Sequence, residues 1–124
     1  MEIHKSAEDY LESILDLKER LGLVRSIDIV RELNYSKPSV SIAMKRLREN
    51  GYIEMNPDGY ITLLPPGEEV ARRIYTRHRL LTEFLISIGV SRETAEADAC
   101  KVEHDLSDET FTCIQTFAEQ RERN

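Results

Sequence analysis

The stretch from Ser26 to Leu63 constrains this chain more than any other. Ile27, Val30 and Leu33 recur at helical spacing from about Ser26 to Leu33, and Asn34-Tyr35 breaks the pattern. Ser36-Lys37-Pro38 then opens a second helix. Ser36 is a good N-cap, and Pro38 falls in the first turn, where its missing N–H costs little. Val40, Ala43, Met44 and Leu47 make the inward stripe of that helix, and Gly51 stands where a C-terminal glycine belongs. Two β-prone runs, Tyr52-Ile53-Glu54-Met55 and Tyr60-Ile61-Thr62-Leu63, flank the turn-forming Asn56-Pro57-Asp58-Gly59 and predict a hairpin. A short helix, a tight turn, a second helix and a hairpin make a helix-turn-helix followed by a wing.

The remainder reads as helix. Ala7, Tyr10, Leu11, Ile14, Leu15 and Leu21 predict a helix from Ser6, as N-cap, to about Leu21, ended by Gly22. Pro65-Pro66-Gly67 punctuates the chain. A long helix is expected from about Glu68 to Ile88, with Val70, Ile74, Leu81, Leu85 and Ile88 as its stripe and Gly89 as its stop. Ser91 is expected to cap a helix running to about His104. Ser107 is expected to cap a last one carrying Phe111, Ile114, Phe117 and Ala118, with Cys113 packed beside them and the polar Glu119 to Asn124 frayed. The fold class is therefore mainly α: a winged helix-turn-helix DNA-binding domain over residues 1–72, then a helical domain over residues 73–124.

No apolar run approaches the roughly 18 residues of a membrane span. Met1-Glu2-Ile3-His4-Lys5 lacks a signal-peptide pattern, and His4 reads as tail. Cys100 and Cys113 cannot build a secreted-type disulfide framework, so the expectation is a cytoplasmic protein with free thiols and no membrane partner. The net charge of -6 argues against a protein that coats nucleic acid non-specifically. The local balance is different: Arg25 to Asn50 holds six basic and three acidic residues. The outward face of the second helix of the pair offers Lys37, Ser39, Ser41, Lys45, Arg46 and Arg48. Serine and lysine near a helix N-terminus can reach base edges and phosphates, and the terminus itself attracts a phosphate. A solvated face carrying a few lysines is the plainer reading. With the wing included, double-stranded operator DNA is the expected partner, contacted by Arg25, Ser36, Lys37, Pro38, Ser39, Ser41, Lys45 and Arg46.

Potential metal ligands stand at helical spacing. Asp9 and Glu12 are i, i+3 on the first helix, and Cys100, Glu103 and His104 are i, i+3, i+4 on the penultimate one. His78 lies on the long helix with Ile74, Leu81 and Leu85 around it. Each has an ordinary explanation alone: a first-turn acidic pair, a core histidine, a small core cysteine, a surface Glu-His. Carboxylate, imidazole and thiolate together suit a transition metal and not Ca²⁺ or Mg²⁺. Two of only three histidines fall in these sets.

Four segments resemble the metal-dependent repressors typified by the diphtheria toxin repressor (iron) and the manganese transport regulator. They are Glu8-Asp9-Tyr10-Leu11-Glu12-Ser13-Ile14, Ser36-Lys37-Pro38-Ser39-Val40-Ser41, Arg77-His78-Arg79-Leu80-Leu81 and Cys100-Lys101-Val102-Glu103-His104-Asp105-Leu106-Ser107. The resemblance covers nearly the whole chain. It implies a second domain that binds metal and dimerises, and a metal-activated repressor that holds palindromic operators as a homodimer. It also implies the shorter, two-domain architecture of the manganese branch, without the SH3-like domain of the iron branch. Asp9, Glu12, His78, Cys100, Glu103 and His104 fall on its metal-ligand positions. Asp9 and Glu12 match the manganese branch, and Cys100 matches the iron branch, so the ligand set is a hybrid. His78 fits the iron branch's ancillary site, but Thr82 and Glu96 stand where that site's Glu and His would be, which favours a clustered site of the manganese type. The soft thiolate of Cys100 favours Fe²⁺ as the cofactor, with Mn²⁺ next. The rival readings are a metalloenzyme using the same ligands and a winged-helix regulator that senses an organic molecule. No nucleophile or paired base stands out for the first, so the expectation is that the chain is not an enzyme.

Overall fold

The computed structural model describes residues 5–123; His4 and Asn124 lie outside the described residues. The order of elements is α1 (Lys5–Leu21), α2 (Ser26–Leu33), α3 (Lys37–Glu49), β1 (Ile53–Met55), β2 (Ile61–Leu63), α4 (Pro65–Ser87), α5 (Arg92–Val102) and α6 (Asp108–Arg123). The chain divides into two compact units, residues 1–73 and 74–124.

The first unit is the expected winged helix-turn-helix. Leu11 and Ile14 of α1, Ile29 of α2, Val40 and Met44 of α3 and Ile53 of β1 form its buried centre. Asn34 makes the turn between α2 and α3 in the left-handed conformation, at φ 56°. Asparagine tolerates that region better than other non-glycine residues. Ser36 caps α3: its hydroxyl accepts from the Ser39 N–H at 3.2 Å. The far end of α3 closes with two reversed backbone bonds, Tyr52 N–H to Leu47 O at 3.0 Å and Gly51 N–H to Arg48 O at 3.1 Å. This arrangement needs a residue at positive φ, and Gly51 supplies it at 79°. β1 and β2 pair antiparallel with Ile53 opposite Leu63. At the tip, the Asn56 side-chain oxygen accepts from the N–H groups of Asp58 and Tyr60.

In the second unit Ile74 and Leu81 of α4 are buried, as are Ala95 and Ala99 of α5. Ser91 and Ser107 cap α5 and α6 by accepting from the N–H groups of Thr94 and Thr110. Phe84 and Phe117 meet edge to face with ring centroids 6.3 Å apart.

Several expectations need correction. α1 already includes Ser6, so Ser6 is not its N-cap. α4 starts at Pro65, not near Glu68, because the first turn of a helix has no use for the proline N–H groups. α5 ends at Val102, short of His104, with Glu103 as its C-cap. Residues 119–123 continue α6 and do not fray. Leu21 and Ile88 are exposed, as are Cys113, Val102 and Phe117. Both cysteines are free thiols. Among the described residues no helix is long and apolar enough to cross a membrane.

Candidate DNA-reading face and metal centre

The proposed DNA contacts of the first unit are all at its surface. Ser36, Lys37, Pro38, Ser39, Ser41, Lys45 and Arg46 are exposed on α3 or at its cap, whereas Val40, Met44 and Leu47 are buried. Ser36 and Ser39 also share a hydroxyl hydrogen bond of 2.8 Å, so both side chains are held at the N-terminal turn. Arg25 is exposed at the start of α2, and its guanidinium stacks over the Tyr60 ring at 4.3 Å. That stack joins the proposed arginine to the wing, whereas in the sequence Tyr60 reads only as a strand former. Asp9 and Glu12 lie half-buried on α1 of the same unit.

In the second unit three donors converge. His78 Nδ1 lies 2.8 Å from Glu103 Oε2 and 3.8 Å from Cys100 Sγ. Nitrogen, sulfur and carboxylate oxygen all fall within 4.8 Å of one another. Glu103 is 1% exposed, and its second oxygen, Oε1, lies 3.4 Å from His104 Nε2. The buried carboxylate is thus faced by two imidazoles. The Cys100 sulfur and the Glu103 carboxylate favour the charged ring of His78, and they push its pKa up to about 10 against the opposing effect of burial. An imidazole nitrogen, a sulfur and a carboxylate oxygen brought this close are donors that a divalent transition metal would take in place of the His78 proton, so the donor set fits such an ion.

Arg77, the neighbour of His78, fixes the loop that carries Glu103. Its guanidinium donates to Glu103 O at 3.0 Å, Leu106 O at 2.9 Å and Asp108 Oδ1 at 2.5 Å, and it lies 5.1 Å from the Phe111 ring. Arg77 is 6% exposed. The sequence carries a signal for this role: three residues after Ile74 and four before Leu81, Arg77 occupies a core position of α4. Of the ancillary positions, Thr82 is buried on α4, and Glu96 is exposed on α5, 3.9 Å from Arg92.

Two family profiles match the chain. "Iron dependent repressor, N-terminal DNA binding domain" covers residues 2–61. "Iron dependent repressor, metal binding and dimerisation domain" covers residues 65–124. The transcriptional regulator MntR of Salmonella typhimurium is 38% identical over 91% of this chain and 72% of its own length. The chain belongs to the iron-dependent repressor family. The HTH-type transcriptional regulator MJ0568 of Methanocaldococcus jannaschii is 36% identical over 94% of each chain. The solved structure of the manganese regulator SloR superposes with a TM-score of 0.80 at 27% identity, covering 96% of this chain. The chain spans 55% of the SloR chain. The iron-dependent repressors are metal-dependent DNA-binding transcriptional regulators and not enzymes, so the metalloenzyme reading falls and the organic-ligand sensor is not favoured.

Proposed function

We propose that this member of the family is a metal-activated repressor of metal-homeostasis genes that binds palindromic operator DNA as a homodimer. The observation that carries the metal role is the convergence of His78, Cys100 and Glu103. Residues 1–72 would read DNA through Arg25, Ser36, Lys37, Pro38, Ser39, Ser41, Lys45 and Arg46. Residues 73–124 would bind metal and pair with a second copy. The exposure of Val102 and Phe117, apolar residues on α5 and α6, supports that pairing. His104 joins the ligand set through its position beside Glu103. Asp9 and Glu12 are supported by their i, i+3 spacing on α1 and by the family resemblance.

The donors themselves favour Fe²⁺, because a thiolate strengthens binding of softer ions more than that of Mn²⁺. The names of the relatives favour Mn²⁺: SloR is described as a manganese regulator. Operator affinity measured anaerobically against free Fe²⁺ and Mn²⁺ tests both readings. In wild type, Fe²⁺ is expected to activate at the lower concentration, and Cys100→Glu should move the preference towards Mn²⁺. An unchanged preference would remove Cys100 as the selector and with it the case for iron. DNA binding with no response to either metal would overturn the metal-activated reading itself.

A further inference from the structure

The outward face of α3 contains one residue that its chemistry does not explain. Ile42 is 56% exposed, on a helix whose buried residues are Val40, Met44 and Leu47. At 100° per residue Ile42 falls opposite the middle of that buried stripe. Around it, three and four residues away, stand Pro38, Ser39, Lys45 and Arg46, all exposed. A single exposed apolar residue is ordinary on a protein surface. A branched apolar side chain at the centre of a cationic, hydroxyl-bearing face is a more specific arrangement. Isoleucine has no propensity advantage there, since lysine, arginine and glutamine favour helix more. With Pro38 one turn earlier, it forms a short apolar ridge framed by groups that suit phosphates and base edges.

We propose that Ile42 is a specificity-determining residue that packs on the C5-methyl group of a thymine in the operator. The inference rests on the proposed DNA-reading role of α3. In the major groove the four bases present nitrogen and oxygen donors and acceptors, and the thymine methyl is the one prominent apolar group. Recognition helices enter that groove with their N-terminal residues towards the base edges, and Ile42 lies in the second turn of α3. Seated there, its side chain distinguishes thymine from cytosine, which lacks the methyl, at one position of each half-site. Lys45 and Arg46 beside it donate hydrogen bonds to phosphates or base oxygens and nitrogens and do not sense the methyl group.

The test starts from duplexes selected from a randomised library by the metal-loaded full chain and by Ile42→Ala. A thymine required by wild type should become degenerate in Ile42→Ala. Replacing that thymine by deoxyuridine removes the methyl alone. Wild type should lose about fourfold in affinity per substituted base, the worth of one buried methyl group. Ile42→Ala should show no such loss at the same position. Because Ile42 is exposed, the variant should melt as wild type does, and Ile42→Gln provides a second soluble control that lacks the apolar contact. A wild-type chain indifferent to deoxyuridine at every thymine, or a thymine requirement unchanged in Ile42→Ala, overturns the inference while leaving DNA binding in place. Failure of wild type to select any duplex with either metal overturns the DNA-reading role beneath it.

Discussion

Replacing Arg77 by methionine should damage the second unit more than any surface substitution would. The change keeps the apolar stem of the side chain and removes the guanidinium. Two acceptors in or beside the protein interior lose their donors, the carbonyls of Glu103 and Leu106, at 3.0 and 2.9 Å. A hydrogen bond from a charged group contributes about 1.5–3 kcal/mol net. The third partner, Asp108, is 91% exposed, so its ion pair adds only about 0–1 kcal/mol. Methionine leaves no buried charge behind, and its better desolvation offsets part of the loss. The balance is a destabilisation of about 3 kcal/mol, roughly a hundredfold in the folding equilibrium. Guanidinium denaturation of the metal-free protein, followed by far-UV circular dichroism, measures it. Arg77→Lys, which keeps a charge but cannot span three acceptors, should fall between wild type and Arg77→Met. A loss below about 1 kcal/mol in Arg77→Met would refute the assignment of Arg77 as the residue that holds the 103–108 connection.

Two further outcomes follow from the same structure. A side chain at Gly67 would run into the Tyr52 backbone carbonyl, so Gly67→Ala should destabilise the first unit by about 1–3 kcal/mol, read from its thermal melt; a neutral effect would mean that α4 can shift at no cost. His78 has its pKa raised from 6.5 to about 10 in the fold. Its contribution to the stability of the metal-free protein is therefore complete below about pH 6.5 and disappears as pH rises through about 10. His78→Gln should flatten that part of the stability profile, and an identical profile in both proteins would refute the protonated state.

The parts of the fold set by local chemistry were legible in the sequence. Ser36 and Gly51 mark the two ends of α3 because capping involves neighbours within a few residues. Asn56 to Gly59 marks the hairpin for the same reason. The end of α5 does not follow from periodicity because it is decided from a distance. The periodic set Cys100, Glu103 and His104 suggests a helix that continues, but Arg77, 26 residues earlier, takes the Glu103 carbonyl. Glu103 keeps right-handed helical angles at the C-cap, which is why its carboxylate still meets His78 and Cys100 although the helix has ended. Ile88, Phe117 and Cys113 were assigned to packing because periodicity shows which residues share a face. It does not show whether this chain alone covers that face.

The strands of the hairpin are pinned on two sides by main-chain bonds. Tyr52 donates to Leu47 O at the end of α3, and its own carbonyl accepts from Leu64 just before α4. At the turn-side end of β2, opposite Met55, Ile61 donates to Val24 O, between α1 and α2, at 2.8 Å. The hydrogen bonds of the tip join Asn56, Asp58, Gly59 and Tyr60 to one another, and the Arg25 guanidinium stacks on the Tyr60 ring beside them. Insertions or deletions between Asn56 and Gly59 can therefore lengthen or shorten the wing without changing the register at its base or the seating of α3. Length variation at this loop is a route by which chains of this design could acquire or lose contacts beside the recognition helix while the helix itself stays where it is.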